Sequence, residues 1–313
     1  MKVGVIGTGN MGENHVRTYL SLHDHCQLVG IYDSDEKKGQ QIAKKYKVKQ
    51  FQSMPDLLQS VDAVSIAVPT EFHYDIGLTC IRHKVHMLME KPITSTAVQA
   101  EDLHHKAAAA GIKLQIGHIE LFNPFIRYLI KELKKESIIG IDFLRMNPYD
   151  ERIKNVDVVK DLMIHDLYIL PELLDDEIVE FYALGNIMEN TPKHAAVISR
   201  SSQGVTAQLT ASFKAKRKIR TMQILTEDAF IEADILNNKI RRTYPMIEHT
   251  SHAPITVTEN IQIDSSIQPL EIQLLDFLNC IMSDTEPSVT GKDGAKVLMI
   301  TNEISKTIRN GKQ

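Results

Sequence analysis

KVGVIGTGNMGENHVRTYL, residues Lys2 to Leu20, decides how the fold is read. The apolar run Val3 to Ile6 ends in glycine, and from Met11 to Leu22 apolar residues recur at helical spacing, so a strand hands over to a helix through the turn GTGNMG. Gly7 permits the tight turn, Gly9 lets the backbone approach a pyrophosphate with no side chain in the way, and Gly12 allows close contact between helix and strand. Free N–H groups at the helix start, across Thr8, Asn10 and Met11, then face an anion. Alone such a triplet is a weak signal, but a second strand, Cys26 to Tyr32, follows and ends in Asp33, about twenty residues further on. A carboxylate there accepts hydrogen bonds from both adenosine ribose hydroxyls and repels a 2′-phosphate, so NAD is expected, with NADP less favoured even though Lys37 and Lys38 stand close by. The competing role for Asp33 is a helix cap, which Ser34 or Asp35 can also fill.

Outward from that unit the pattern repeats. Helical spacing over Glu36 to Tyr46, Phe72 to His83 and Ser95 to Ala110 alternates with apolar runs at Asp62 to Val68, Val85 to Met89 and Lys113 to Ile116. Strands alternating with helices predict an α/β fold with a parallel sheet covered on both faces. Ligands of such sheets sit beyond the carboxyl ends of the strands. That singles out Pro69, Thr70 and His73 after one run, Glu90, Lys91 and Pro92 after the next, and Gly117, His118, Glu120, Asn123 and Pro124 after the third. Thr70 can cap the following helix, contact the cofactor or do both, and His73 is equally open. Lys91 would cost several kcal/mol to desolvate without a partner. Its neighbour Glu90 cannot be assumed to be that partner, because adjacent strand residues point to opposite faces. An ordinary surface lysine is the plain alternative.

After about Pro124 the texture changes. A helical stretch from Phe125 to Glu136 leads to a strand at Ile141 to Met146 and a helix at Lys160 to Leu174. Strand-like runs then dominate, at Ile178 to Leu184, Ala195 to Ser201, Val205 to Phe213, Ile219 to Leu225, Ala229 to Asp234 and Lys239 to Thr243. Short connections between them predict a large, mostly antiparallel sheet, with helices returning at Leu270 to Met282 and Gly294 to Arg309. Within DLMIHDL, Asp161 and His165 are four apart, so a helix places them on one face, where a carboxylate orients an imidazole and raises its basicity. A structural hydrogen bond is the alternative.

A chain of 313 residues with 43% hydrophobic and 24% charged residues can bury two cores. The formal charge of -4 gives no reason to expect nucleic acid, and the basic run Lys214 to Arg220 reads as one exposed strand face. Three scattered cysteines, Cys26, Cys80 and Cys280, fit reduced thiols and a cytoplasmic protein. Neither a membrane span nor an export signal is expected. The histidines lack metal-ligand spacing, so no metal is expected.

Taken together, GTGNMG, VPTEFH, MEKP and DLMIH resemble the Gfo/Idh/MocA family, the glucose-fructose oxidoreductase and inositol dehydrogenase group. The resemblance implies a Rossmann domain joined to a carboxyl-terminal α+β domain, divided here as an NAD-binding part, residues 1–118, and a part for substrate binding and oligomerisation, residues 119–313. It implies that Lys91 binds the reacting sugar hydroxyl and favours its ionisation, that His165 accepts the proton, and that Asp161 pairs with it. In the family the Lys-Pro bond is often cis. IGHIELFNP (Ile116 to Pro124) resembles the GHIERFNP of a branch that oxidises nucleotide-linked amino sugars, implying the 3-hydroxyl of UDP-N-acetylglucosamine or a related nucleotide sugar, with His118, Glu120 and Asn123 along the sugar. Leu121 replaces the arginine of that segment, so its diphosphate contact is not implied; Tyr168 replaces an acidic residue often seen in HDLD. A free sugar or polyol such as myo-inositol is the alternative substrate, and a dinucleotide-sensing regulator without turnover the alternative function. A homodimer or homotetramer is the family's usual way to cover the open sheet face.

Overall fold

The computed structural model describes residues 1–246, 255–264 and 266–311. The chain forms two compact units, one made of Met1–Phe122 with Ile267–Met299, the other of Asn123–Ser266 with Ile300–Gln313. The expected second part ran to residue 313; within it, residues 247–254, 265 and 312–313 lie outside the described residues.

In the first unit, β1 (Lys2–Ile6), α1 (Asn10–Ser21), β2 (Gln27–Tyr32), α2 (Glu36–Tyr46), α3 (Met54–Leu58), β3 (Ala63–Ile66), α4 (His73–Arg82), β4 (His86–Glu90), α5 (Ala97–Ala109) and β5 (Leu114–Gly117) build one parallel sheet of order β2-β1-β3-β4-β5. Every residue of β3 and β5 is buried, as strands covered on both faces require. Helix α3 escaped the sequence reading because it is a single short turn, started by Ser53, whose side chain accepts from Asp56 N–H, and by Pro55.

The second unit begins with α6 (Pro124–Leu133) and β6 (Ile138–Pro148), then a π-helical turn at Val159–Met163 running into α7 (Ile164–Leu174). β7 (Ile178–Met188), β8 (Thr191–Ser201), β9 (Thr206–Ala215), β10 (Ile219–Thr226), β11 (Phe230–Asp234), β12 (Lys239–Met246) and β13 (Ile255–Gln262) join β6 in a sheet of order β13-β12-β11-β10-β6-β9-β8-β7. All pairs are antiparallel except β6 with β9. β13 was not foreseen, since ITVTENIQ carries few apolar residues to mark it. The basic run is also not one strand face. Its middle, Lys216 to Lys218, is the short crossover that carries the chain from β9 past β6 to β10, and only its flanks are strand. On β6, Ile141, Phe143 and Arg145 are buried while Asp142 is exposed, the alternation of a sheet with one covered face. The π-turn rests on β6 and β9, and α6 packs on α7. Paired residues Tyr182 and Ile198 stay 70% and 52% exposed.

Helix α8 (Pro269–Met282) belongs to the first unit: its Leu270, Leu274, Phe277 and Leu278 share a core with Val3, Val5, Val16, Tyr19 and Ile31. Gln115 Nε2 donates to the Gln273 carbonyl at 3.3 Å. α9 (Gly291–Asn310) closes the chain. Among the described residues no helix is long and apolar enough to cross a membrane.

Candidate functional site

The glycine turn has the geometry its residues predict. Gly7 adopts φ +86°, a left-handed conformation that a side chain rarely takes, and its N–H bonds Tyr32 O at 2.8 Å. A Cβ on Gly12 would overlap the Gly7 carbonyl, so the helix can start this close to the strand only with glycine there. A Cβ on Gly9 would meet nothing within 4 Å, and Gly9 and Asn10 are exposed with Met11 half-buried. The turn thus presents open backbone at the start of α1, which fits the pyrophosphate of a dinucleotide.

Asp33 ends β2 and ties it to this turn. Its Oδ2 accepts the Thr8 N–H at 2.7 Å and the Thr8 hydroxyl at 2.6 Å, and its Oδ1 accepts Asp35 N–H at 2.8 Å. Capping of α2 falls to Asp35, which accepts Lys38 N–H at 3.2 Å. A carboxylate has about four acceptor sites and three are taken here, so Asp33 keeps one, on Oδ1, for a ribose hydroxyl.

Beyond β3, Pro69 is exposed and Thr70 opens a short 3-10 turn. The cap positions of that turn and of α4, Pro69 and Phe72, make no side-chain cap bond, so the capping expected of Thr70 is not made. His73 is buried between the turns after β3 and β4, with Nδ1 2.9 Å from Pro92 O and Nε2 3.0 Å from Val68 O, and in its neutral form donates its single N–H to one of these carbonyls. Burial lowers its pKa.

β4 ends in Glu90, buried, and Lys91, half-buried, follows, with a cis bond between Lys91 and Pro92. Glu90 Oε1 lies 3.1 Å from His15 Nε2, and its Oε2 accepts Lys91 N–H at 3.3 Å. His118, just past β5, is buried and its pKa is pushed down to about 3, mainly by burial and further by the charge of Lys91. It is therefore a neutral imidazole close to that ammonium. Glu120 follows, half-buried.

In the second unit Asn123 caps α6, accepting Phe125 N–H at 3.0 Å. Asp161 lies in the π-turn and His165 in the first turn of α7, both partly exposed. From Leu162 to Leu170 every residue except His165 is buried. Beneath it, Asp166 Oδ1 accepts Arg145 Nε at 2.8 Å, a buried ion pair between α7 and β6. The π-turn is started by Asp157, whose Oδ1 accepts Val159 N–H at 2.9 Å and whose Oδ2 takes the Ser305 hydroxyl and Arg309 at 3.2 Å. Buried Lys193 donates to the carbonyls of Ile153, Lys154 and Val156 at 2.7 to 2.8 Å, fixing the loop before it. None of His15, Arg145, Asp157, Asp166 or Lys193 is singled out by the sequence pattern, and among them Asp166, inside DLMIHDL, stands where a local signal could have found it.

Residues 1–118 match the model of an oxidoreductase family with an NAD-binding Rossmann fold, GFO_IDH_MocA. The chain is 30% identical over 303 residues to UDP-N-acetylglucosamine 3-dehydrogenase of Acidithiobacillus ferrooxidans, covering 95% of this chain and 94% of that one. A solved structure of that enzyme matches with a TM-score of 0.92 at 29% identity, over 99% and 98% of the two chains. Myo-inositol 2-dehydrogenase of Thermotoga maritima is 23% identical over 330 residues, covering 98% and 96%. Levoglucosan dehydrogenase in complex with NADH, at 14% identity and a TM-score of 0.85 over 99% and 97% of the two chains, shares the fold. With the glycine turn in place and similarity running the whole length of the chain, the protein belongs to the Gfo/Idh/MocA family of oxidoreductases.

Proposed function

We propose that the protein oxidises a ring hydroxyl of a sugar with NAD, its substrate being the 3-hydroxyl of UDP-N-acetylglucosamine or a related nucleotide sugar. The observation that carries the chemistry is the exposure of His165 alone on an otherwise buried helical stretch, one turn from Asp161. The whole-length relative supports the substrate. Residues 1–118 hold the dinucleotide and residues 119–313 the sugar. Gly7 and Thr8, whose own N–H groups are taken by Tyr32 O and Asp33, shape the cofactor turn, Gly9, Asn10, Met11 and Gly12 offer it backbone N–H groups for the pyrophosphate, and Asp33 takes the ribose, which favours NAD over NADP. Pro69, Thr70 and Glu90 line the nicotinamide end, with His73 buried between their turns. When bound, NAD supplies the hydride acceptor.

His165 takes the hydroxyl proton as general base, and Asp161 orients its ring. The Lys91 ammonium stabilises the alkoxide as it develops. His118, neutral, can hydrogen-bond the sugar without adding a second charge beside Lys91, and Glu120 and Asn123 contact the same ring. A cytoplasmic homodimer or homotetramer covers the open face around Tyr182, Leu184 and Ile198. A myo-inositol substrate is the second reading, favoured by the whole-length inositol relative. The deciding experiment follows nicotinamide reduction with UDP-N-acetylglucosamine and then with myo-inositol. An aminotransferase and glutamate are added to the first so that an unfavourable ketone equilibrium is pulled forward. Turnover of the nucleotide sugar is expected; turnover of inositol alone would replace the substrate, and turnover of neither would overturn the reading.

A further inference from the structure

α1 buries Gly12, His15, Val16 and Tyr19, the i, i+3, i+4 face turned to the sheet. An apolar side chain would serve packing at position 15, yet the residue there is a histidine with no exposed surface. Its Nδ1 is 2.9 Å from Ser65 Oγ on β3, Ser65 Oγ is 2.9 Å from Tyr19 OH, and its Nε2 is 3.1 Å from Glu90 Oε1 at the end of β4.

Chemistry sets the direction of this row. The Glu90 carboxylate only accepts, so His15 donates to it from Nε2; with Nδ1 then the acceptor, the Ser65 hydroxyl donates to His15 and accepts from the Tyr19 hydroxyl. Each hydrogen in the row has an acceptor, and the row ends on a carboxylate whose other oxygen receives the backbone N–H of Lys91 at 3.3 Å. A buried carboxylate that lost its donor would carry an uncompensated desolvation cost and would move to find another partner.

We propose that His15 is a positioning residue: through Glu90 it fixes the Lys91 peptide, and with it the direction in which the Lys91 ammonium leaves the sheet. The inference rests on the role of Lys91 proposed above. It ties the helix that follows the glycine turn to the turn that carries the lysine, so the dinucleotide end and the lysine share one rigid support.

His15→Ala and His15→Gln in the full-length protein test it, since the glutamine amide can place an N–H near the position of the imidazole Nε2. Three quantities are measured: kcat and KM with NAD and UDP-N-acetylglucosamine, NADH affinity by fluorescence, and amide hydrogen exchange of the peptide from Glu90 to Thr94. For His15→Ala a fall in kcat of about 10- to 100-fold is expected from misplacement of the lysine. NADH affinity should stay within about twofold, and exchange at Lys91 should quicken. His15→Gln should recover most of kcat and slow the exchange again. Wild-type kcat and exchange in His15→Ala would overturn the proposal. So would a loss shared equally by kcat, NADH affinity and melting temperature that glutamine does not repair, because His15 would then only fill space. If even the wild type turned over no sugar, the dehydrogenase reading would fail by itself, and the exchange rate would still decide whether His15 holds Lys91.

Discussion

The two units place their candidate site residues in opposite ways. In the first, the candidate residues sit in turns beyond strand ends, where short local motifs choose the backbone: Gly7 through its φ, Gly12 through its closeness to Gly7 O, and Pro92 through its ring. In the second, Asp161 and His165 lie on a helical segment buried on nearly every side, and their exposure depends on which neighbours pack around them. Three polar residues there, Asp161, His165 and Asp166, are nearly adjacent in sequence, yet Asp166 is buried against Arg145 while the other two reach the surface. Local chemistry organises the first unit's site; long-range packing organises the second's.

Removing the reactive groups tests that contrast most severely. His165→Ala and Lys91→Ala should each lower kcat by about 10²- to 10⁴-fold, the usual worth of a positioned base or charge, while NADH binding by fluorescence stays close to wild type. Full turnover in either variant removes that residue from the mechanism. The packing side of the contrast is exposed by Arg145→Met. Stripping the guanidinium from buried Asp166 should destabilise the protein by about 3–5 kcal/mol in denaturant unfolding, and the double variant Arg145→Met with Asp166→Leu should recover much of it. Equal stability in the single variant would mean that the pair does not support the helix under His165.

A pH experiment sharpens the account of the first unit. His118 has a folded pKa near 3 against about 6.5 when unfolded, so between those values the unfolded chain binds more protons and stability falls as the pH falls. At pH 5 the loss relative to pH 7 should be about 2 kcal/mol, and His118→Asn should flatten that part of the curve. An unchanged slope would show that His118 is not held neutral. The smallest effect expected is that of Asp35→Ala, about 1 kcal/mol from the lost cap of α2, measured by thermal unfolding, with NADH affinity preserved because the proposed cofactor contact belongs to Asp33. A matching loss of NADH affinity would reverse the roles assigned to Asp33 and Asp35.

Part of the candidate site is legible in the order of the residues. Gly7, Gly9, Gly12 and Asp33 stand out because each lies in a short stretch whose neighbours determine its backbone, whereas Lys91 stands out only through the family resemblance. His15 does not stand out, although it lies within the opening stretch, because nothing in α1 marks it as more than a polar residue on a helix. Its meaning comes from Ser65 and Glu90, fifty and seventy-five residues away. Lys193 was hidden for the same reason, its three carbonyl partners lying about forty residues earlier in the chain. The basic run from Lys214 to Arg220 was misread as one strand face because alternation cannot show that a strand from elsewhere, β6, separates β9 from β10.

The order of the residues by itself determined the alternating strands and helices of the first half, the glycine turn and the antiparallel character of the second sheet, since periodicity and turn chemistry act over a few residues. Only the tertiary structure decided that α8 returns to the first unit, that Glu90 is held by His15, and that Asp166 is spent on Arg145 while His165 stays accessible. Those outcomes depend on burial and on hydrogen-bond partners brought together by packing, and no local pattern in the chain encodes them.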